Sequence, residues 1–163
     1  MTLVIDAAPL VALADEREPR RDEILEILRA ERGSLFIPAP VTAEIDYLLD
    51  RRFGAPARRA FLEDLAARRY ESPGLEAADY QAALELDHQY ADLNLGLADL
   101  SVAVLAGRLG TRRILTFDQR HFRRAPANPG RRLHPAAGRS MSHSSQADPW
   151  PHGERRVANR VAT

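Results

Sequence analysis

Short runs of β-branched and large aliphatic residues alternate along the chain with longer stretches in which apolar positions recur every three or four residues. Leu3-Val4-Ile5 is the first such run; it stops at Asp6 and predicts a buried strand followed by a turn. Residues 9–14 then read as a short helix. Residues 19–32 read as a longer amphipathic one, with Ile24, Leu25, Ile27 and Leu28 on one face and Gly33 as its stop. Leu35-Phe36-Ile37 predicts a second strand, ended by Pro38 and Pro40. Helices over 41–52 and 56–69 follow, then a weak strand near 70–72, a helix over 75–90, and an alanine-rich, largely apolar helix over 97–109 closed by Gly110. Residues 113–117 make a further strand. Helices alternating with short apolar strands predict an α/β fold around a parallel sheet.

The texture changes near Pro126. Residues 126–163 hold 5 of the 11 prolines, with serine, glycine and arginine and little periodicity. Apart from one short strand near 131–134, such a segment buries too little apolar surface to offset the entropy of ordering it. The expected organisation is one domain over residues 1–135 and a disordered tail over 136–163. A total of 163 residues suits one core rather than two.

Composition narrows the chemistry. The absence of cysteine excludes disulfides, thiol catalysis and cysteine-based zinc sites. The apolar start has no basic leader and contains Asp6, and no stretch approaches the roughly 20 apolar residues of a membrane span, so a soluble, cytoplasmic protein without a membrane partner is expected. The formal net charge of zero conceals an asymmetry. Residues 1–110 hold 20 acids against 12 arginines, and residues 111–163 hold 3 acids against 11. Every basic residue is arginine. An acidic body with a basic end can hold cations and a polyanion at neighbouring places.

Ligands of open parallel sheets bind at the carboxyl ends of strands. Asp6 and Asp118 stand at two such ends, and Glu44 falls early in the helix after the second strand. Asp99 opens the apolar helix and shares a face with Val102 and Ala103, which turns it towards packed structure. Each has a plainer reading: Asp6 and Asp118 as caps of the turns that follow them, Glu44 as a solvated helical position. Together, several carboxylates facing one cleft repel one another unless they take up protons or share a cation. An oxygen-only donor set suits Mg²⁺ or Mn²⁺ better than zinc.

The blocks "LVID" with Asp6, "VTAEI" with Glu44, "LGLADLSVAVLAGRLG" with Asp99 and "RILTFDQRHFR" with Thr116 and Asp118, in this order, resemble the PIN domain. More closely, they resemble the VapC toxins, the nuclease half of VapBC toxin–antitoxin pairs. The resemblance covers about residues 1–125, and the last block is its most specific part. It implies a three-layer α/β/α sandwich with a central parallel sheet, in which Asp6, Glu44, Asp99 and Asp118 hold one or two Mg²⁺ or Mn²⁺ ions. Thr116 matches the hydroxyl residue that orients a carboxylate or water, and Asp92 matches a supporting acid. The implied activity is metal-dependent endoribonuclease cleavage of structured RNA, a tRNA or a ribosomal RNA loop, leaving 5′-phosphate and 3′-hydroxyl ends. It further implies a VapB-type antitoxin whose tail enters the cleft, and a homodimer formed through the early helices around Ile24 to Leu28 and Leu48-Leu49. The arginines Arg112, Arg113, Arg120, Arg123 and Arg124 are expected near the mouth, where guanidinium groups grip RNA phosphates.

One departure stands out: Ala7 and Ala8 follow Asp6 where the family commonly has threonine or serine. This leaves an alternative, a catalytically weak or inactive PIN-like module that binds RNA or protein. Other folds with acids at strand ends fit less well. The chain has no lysine for a receiver domain, no Asp-x-Asp for a dehalogenase-like phosphatase, and "DAAPL" lacks the glycines of a dinucleotide-binding turn.

Overall fold

The computed structural model describes residues 2–118. Its elements run β1 (Leu3–Ile5), α1 (Ala7–Leu13), α2 (Arg21–Ala30), β2 (Leu35–Phe36), α3 (Ala39–Phe53), α4 (Ala55–Ala66), α5 (Ala77–Gln89), a 3₁₀ turn (Ala91–Leu93), α6 (Leu97–Arg108) and β3 (Ile114–Leu115). The three strands form one parallel sheet in the order β2-β1-β3, with Val4 opposite Phe36 on one side and Ile114 on the other. The architecture is the expected α/β sandwich. The anticipated strand near 131–134 and the tail over 136–163 lie outside the described residues.

β1 is central because it is apolar at every position, and Val4 and Ile5 are fully buried. Val41, Ile45 and Leu49, four residues apart, form the buried stripe of α3. α6 is covered on nearly all sides: Leu100 to Ala106 are all buried, and the Ser101 hydroxyl donates back to the Ala98 carbonyl at 2.6 Å. α3 packs against α1, α4 and α6, while α5 pairs with α6 over a smaller cluster of Ala83, Leu100 and Val104.

Three helices begin earlier than the sequence suggested, each for the same reason. Pro9, Pro40 and Pro56 lie inside the first turns of α1, α3 and α4, each preceded by one or two residues that are already helical. The first-turn N–H groups have no intrahelical partner, so a proline there sacrifices no hydrogen bond. α3 runs into α4 through Gly54 alone, whose φ of 80° is open to glycine without strain. The weak strand near 70–72 is reduced to a bridge beside β2, where Ile37 N–H donates to the Glu71 carbonyl at 2.9 Å.

Burial narrows the expected dimer face to the partly buried Ile27 and Leu48 among its apolar residues. Ile24, Leu25, Leu28 and Leu49 belong to the core of the chain itself and are not available to a second copy. No helix among the described residues is long and apolar enough to cross a membrane.

At the amino end of the sheet, Arg113 pairs with the Glu31 carboxylate just past α2, which also accepts the Gly33 N–H at 2.9 Å. Burial alone would raise the Glu31 carboxyl. The Gly33 N–H and the Arg113 guanidinium outweigh it and hold the group below its ordinary value. A carboxyl with a depressed folded-state pKa adds stability above its unfolded value and loses it as pH falls. Arg113→Ala is therefore expected to cost about 1–2 kcal/mol at pH 7, the low end for stranding a buried acceptor because Arg113 is half exposed. The gap to wild type should close as pH drops below the reference value of 4.5. Thermal melts of both proteins from pH 3 to pH 7 check this, and a gap independent of pH would contradict it.

Candidate active site

β1 places Asp6 one residue beyond its last paired position and α1 begins at the next, so one backbone turn fixes the carboxylate. Asp6 is the N-cap of α1, with Oδ1 accepting the Ala7 N–H at 2.7 Å. Its other oxygen, Oδ2, accepts the Thr116 hydroxyl at 2.8 Å, across from β3. The Asp6 N–H donates to the Leu115 carbonyl at 3.0 Å, which continues the β1–β3 ladder up to the site. Thr116 in turn accepts the Asp118 N–H at 3.0 Å, so a single hydroxyl ties Asp6 to the backbone that carries Asp118.

Asp99 sits in the first turn of α6, and its Oδ2 accepts the Gly96 N–H at 3.1 Å. It is partly exposed rather than fully packed, although Val102 and Ala103 below it are buried. Glu44 lies on α3 and Asp118 after β3, and both are exposed. The anticipated cap at Asp6 and the anticipated acidic site are thus not alternatives, since the same side chain caps α1 and faces the other acids.

Electrostatics tie the four together. Burial raises the Asp6 carboxyl above its ordinary value; the Thr116 and Ala7 hydrogen bonds oppose this, and the charges of Asp99 and Asp118 add to it. The Glu44 carboxyl is raised by partial burial and by the charges of Asp6 and Asp99. No arginine among the described residues contributes to either shift. Asp6 and Glu44 come from different elements yet sense the same Asp99, so the fold gathers acids that are up to 112 residues apart in sequence.

Among the described residues, no three His, Cys, Asp or Glu side chains form a group closed enough to hold a metal ion as they stand. Mutually repelling carboxylates stand apart. The donor set nonetheless suits a hard divalent cation: all four groups are carboxylates, the central one is buried among like charges, and its orientation is already fixed by two hydrogen bonds.

The remaining nominated residues divide. Asp92 is exposed in the 3₁₀ turn ahead of α6. Arg112 and Arg113 precede β3, at the amino end of the sheet, whereas Asp6 and Thr116 lie at its carboxyl end; they are not at the mouth, and Arg113 is engaged with Glu31. Arg120, Arg123 and Arg124 lie outside the described residues. One contact had no signature in the sequence: the Arg20 guanidinium lies over the Phe117 ring, 3.5 Å from its centroid, and joins the α1–α2 turn to the residue between Thr116 and Asp118. Positions so far apart in the chain carry no spacing rule that could reveal it.

Comparison with known proteins places the fold in a family. The family model described as PIN domain matches residues 3–128. Ribonuclease VapC26 of Mycobacterium tuberculosis is 37% identical over 120 residues, covering 74% of this chain and 89% of the relative. Two solved structures share the fold. VapC20 of M. tuberculosis, described as a sarcin–ricin-loop-cleaving toxin, superposes with a TM-score of 0.68 at 16% identity, over 75% of this chain and 94% of that one. VapBC2 of Rickettsia felis, solved with a DNA fragment from its promoter, gives 0.59 at 21% identity, over 78% and 95%. By its matched domain and by its relative, the chain belongs to the PIN-domain family and is of VapC type.

Proposed function

We propose that the protein is a metal-dependent endoribonuclease, the toxin of a type II toxin–antitoxin pair, with Asp6, Glu44, Asp99 and Asp118 holding one or two Mg²⁺ or Mn²⁺ ions. The observation that carries this reading is the buried Asp6 carboxylate, oriented by two hydrogen bonds and facing the charges of Asp99 and Asp118. An idle cluster of like charges opposes folding, and a bound cation reverses that. The name of the relative, a ribonuclease, and that of the VapC20 toxin support the RNA substrate and the toxin role. The VapBC2 assembly supports a VapB-type antitoxin as partner.

The chain's own residues then divide the work. Asp6 is oriented by the Ala7 N–H and the Thr116 hydroxyl, neither of which needs a side-chain hydroxyl at residue 7. Asp99 draws its orientation from the Gly96 N–H, and Asp118 from the backbone bond to Thr116. A divalent ion held by these carboxylates would supply water activation and charge neutralisation at the scissile phosphate. Arg120, Arg123 and Arg124, which follow Asp118 in sequence, are the candidates for contacting the RNA backbone, together with a second copy of the chain as a further partner.

Incubating the full chain with total RNA and Mn²⁺ or Mg²⁺ should give discrete fragments with 5′-phosphate ends, abolished by chelator. Asp99→Asn should lower the rate at least roughly 100-fold, as expected when several kcal/mol of metal-assisted stabilisation is lost. RNA that is bound but left intact by the wild type would instead select the non-catalytic PIN-like module.

A second expectation needs no activity. Asp6 and Glu44 have raised pKa values in the folded state, so their contribution to stability is fully present below the ordinary carboxylate values and is lost as pH rises through the raised ones. In chelator at pH 7, Asp99→Asn should relieve repulsion of about 1 kcal/mol and raise Tm by about 2–4 °C. Millimolar Mn²⁺ should then stabilise the wild type and not the variant. A variant that melts lower than wild type in chelator would sink this account.

A further inference from the structure

β3 ends at Leu115, so Asp118 stands beyond the last paired residue and cannot take its position from the sheet ladder alone. Side-chain contacts reach its segment from either end of α1. Ahead of α1, Asp6 accepts the Thr116 hydroxyl. Beyond α1, Arg20 covers the Phe117 ring at 3.5 Å from the guanidinium carbon to the centroid. Phe117 is partly buried against the main core, so its ring is held between that core and the guanidinium.

Arg20 has a second partner within its own turn. Its Nε donates to Glu18 Oε1 at 2.7 Å, and its backbone N–H donates to the same oxygen at 3.2 Å. The turn that carries it is knitted by the Arg17 N–H on Asp15 Oδ1 at 2.9 Å, the Glu18 N–H on the Asp15 carbonyl at 3.2 Å, and the Arg21 N–H on the Glu18 carbonyl at 3.1 Å. Buried Arg21 anchors the turn from below, its Nε donating to the Leu13 carbonyl at 3.2 Å. A half-exposed pair such as Arg20–Glu18 adds little to stability, because water screens it. The contact therefore contributes little to the fold as a whole, and its consequence is local to the ring it covers.

We propose that Arg20 is a positioning residue for the acidic site: stacked on Phe117, it holds the segment 116–118 against Asp6 and so fixes where the Asp118 carboxylate stands. The positioning stands on geometry alone; its consequence for metal binding rests on Asp118 being a ligand, as proposed above. The contact is cation–π in character, so lysine should replace arginine in part and alanine should not.

The test uses the full chain with Arg20→Ala, Arg20→Lys, Phe117→Leu and the Arg20→Ala/Phe117→Leu double variant. In chelator, the Asp118 amide should exchange with deuterium roughly two- to fivefold faster in Arg20→Ala, the factor an exposed cation–π contact is worth. Amides of β1 and α1 should be unchanged, Arg20→Lys should recover most of the protection, and the double variant should lose no more than Phe117→Leu alone. Mn²⁺ affinity, measured by calorimetry, should fall by the same factor. Wild-type exchange at Asp118 in Arg20→Ala, exchange that rises evenly across the domain, or additive losses in the double variant would each overturn the proposal. An Arg20→Ala protein that loses RNA binding but keeps Asp118 protection would also overturn it, because Arg20 would then grip substrate instead. A wild type that fails to bind Mn²⁺ defeats the metal reading, and the exchange comparison still decides the positioning.

Discussion

The structure turns on one constraint: a carboxylate is placed at the end of a fully buried strand, where burial strips it of most of its hydration and no arginine among the described residues neutralises it. Asp6 could not stand there on burial terms alone, since desolvation and the charges of Asp99 and Asp118 all oppose its ionised form. Two donors make the position tenable, the Ala7 N–H at the start of α1 and the Thr116 hydroxyl from the neighbouring strand end. The first comes with the helix itself. The second requires β3 to lie beside β1 in parallel register, so the sheet and the site have the same origin.

Two of the four acids are also helix-start residues. Asp6 caps α1, and Asp99 accepts the Gly96 N–H within the first turn of α6. The helix N-terminus favours negative charge by about 0.3–1 kcal/mol for each, which offsets part of the repulsion that gathering them creates. A local role and a functional one therefore coincide in single side chains.

The arginines follow a different logic. Arg69, Arg108 and Arg113 are engaged with Asp64, Asp79 and Glu31, and all three acids are buried. These pairs brace the framework away from the acidic edge: Arg108 links α6 to α5 and to the Gly74 carbonyl, and Arg113 links β3 to the end of α2. Arg20 differs, because its second contact is an aromatic ring beside an acid of the site rather than a buried carboxylate. The excess of arginine in the chain is thus partly structural, and its uneven distribution along the sequence does not by itself mark a nucleic-acid surface.

Most of the elements were legible from period and punctuation alone. Leu3-Val4-Ile5 could be nothing but a buried strand, the α3 stripe of Val41, Ile45 and Leu49 follows the helical repeat, and the apolar composition of α6 dictated its burial. That Asp6, Glu44, Asp99 and Asp118 come near one another was legible too, since the carboxyl ends of strands in a parallel sheet converge at one edge. Helix starts were misplaced at prolines, because the sequence shows the residue but not which N–H groups are already without partners. The outcome for Ile24, Leu25, Leu28 and Leu49 was likewise hidden, because an apolar stripe looks the same whether it meets its own core or another chain. Which arginine meets which acid, and that Arg20 covers Phe117, was decided only by tertiary structure. Such contacts join residues far apart in the chain, and their partners are selected by where the packed helices and the parallel register set them down, not by any local spacing.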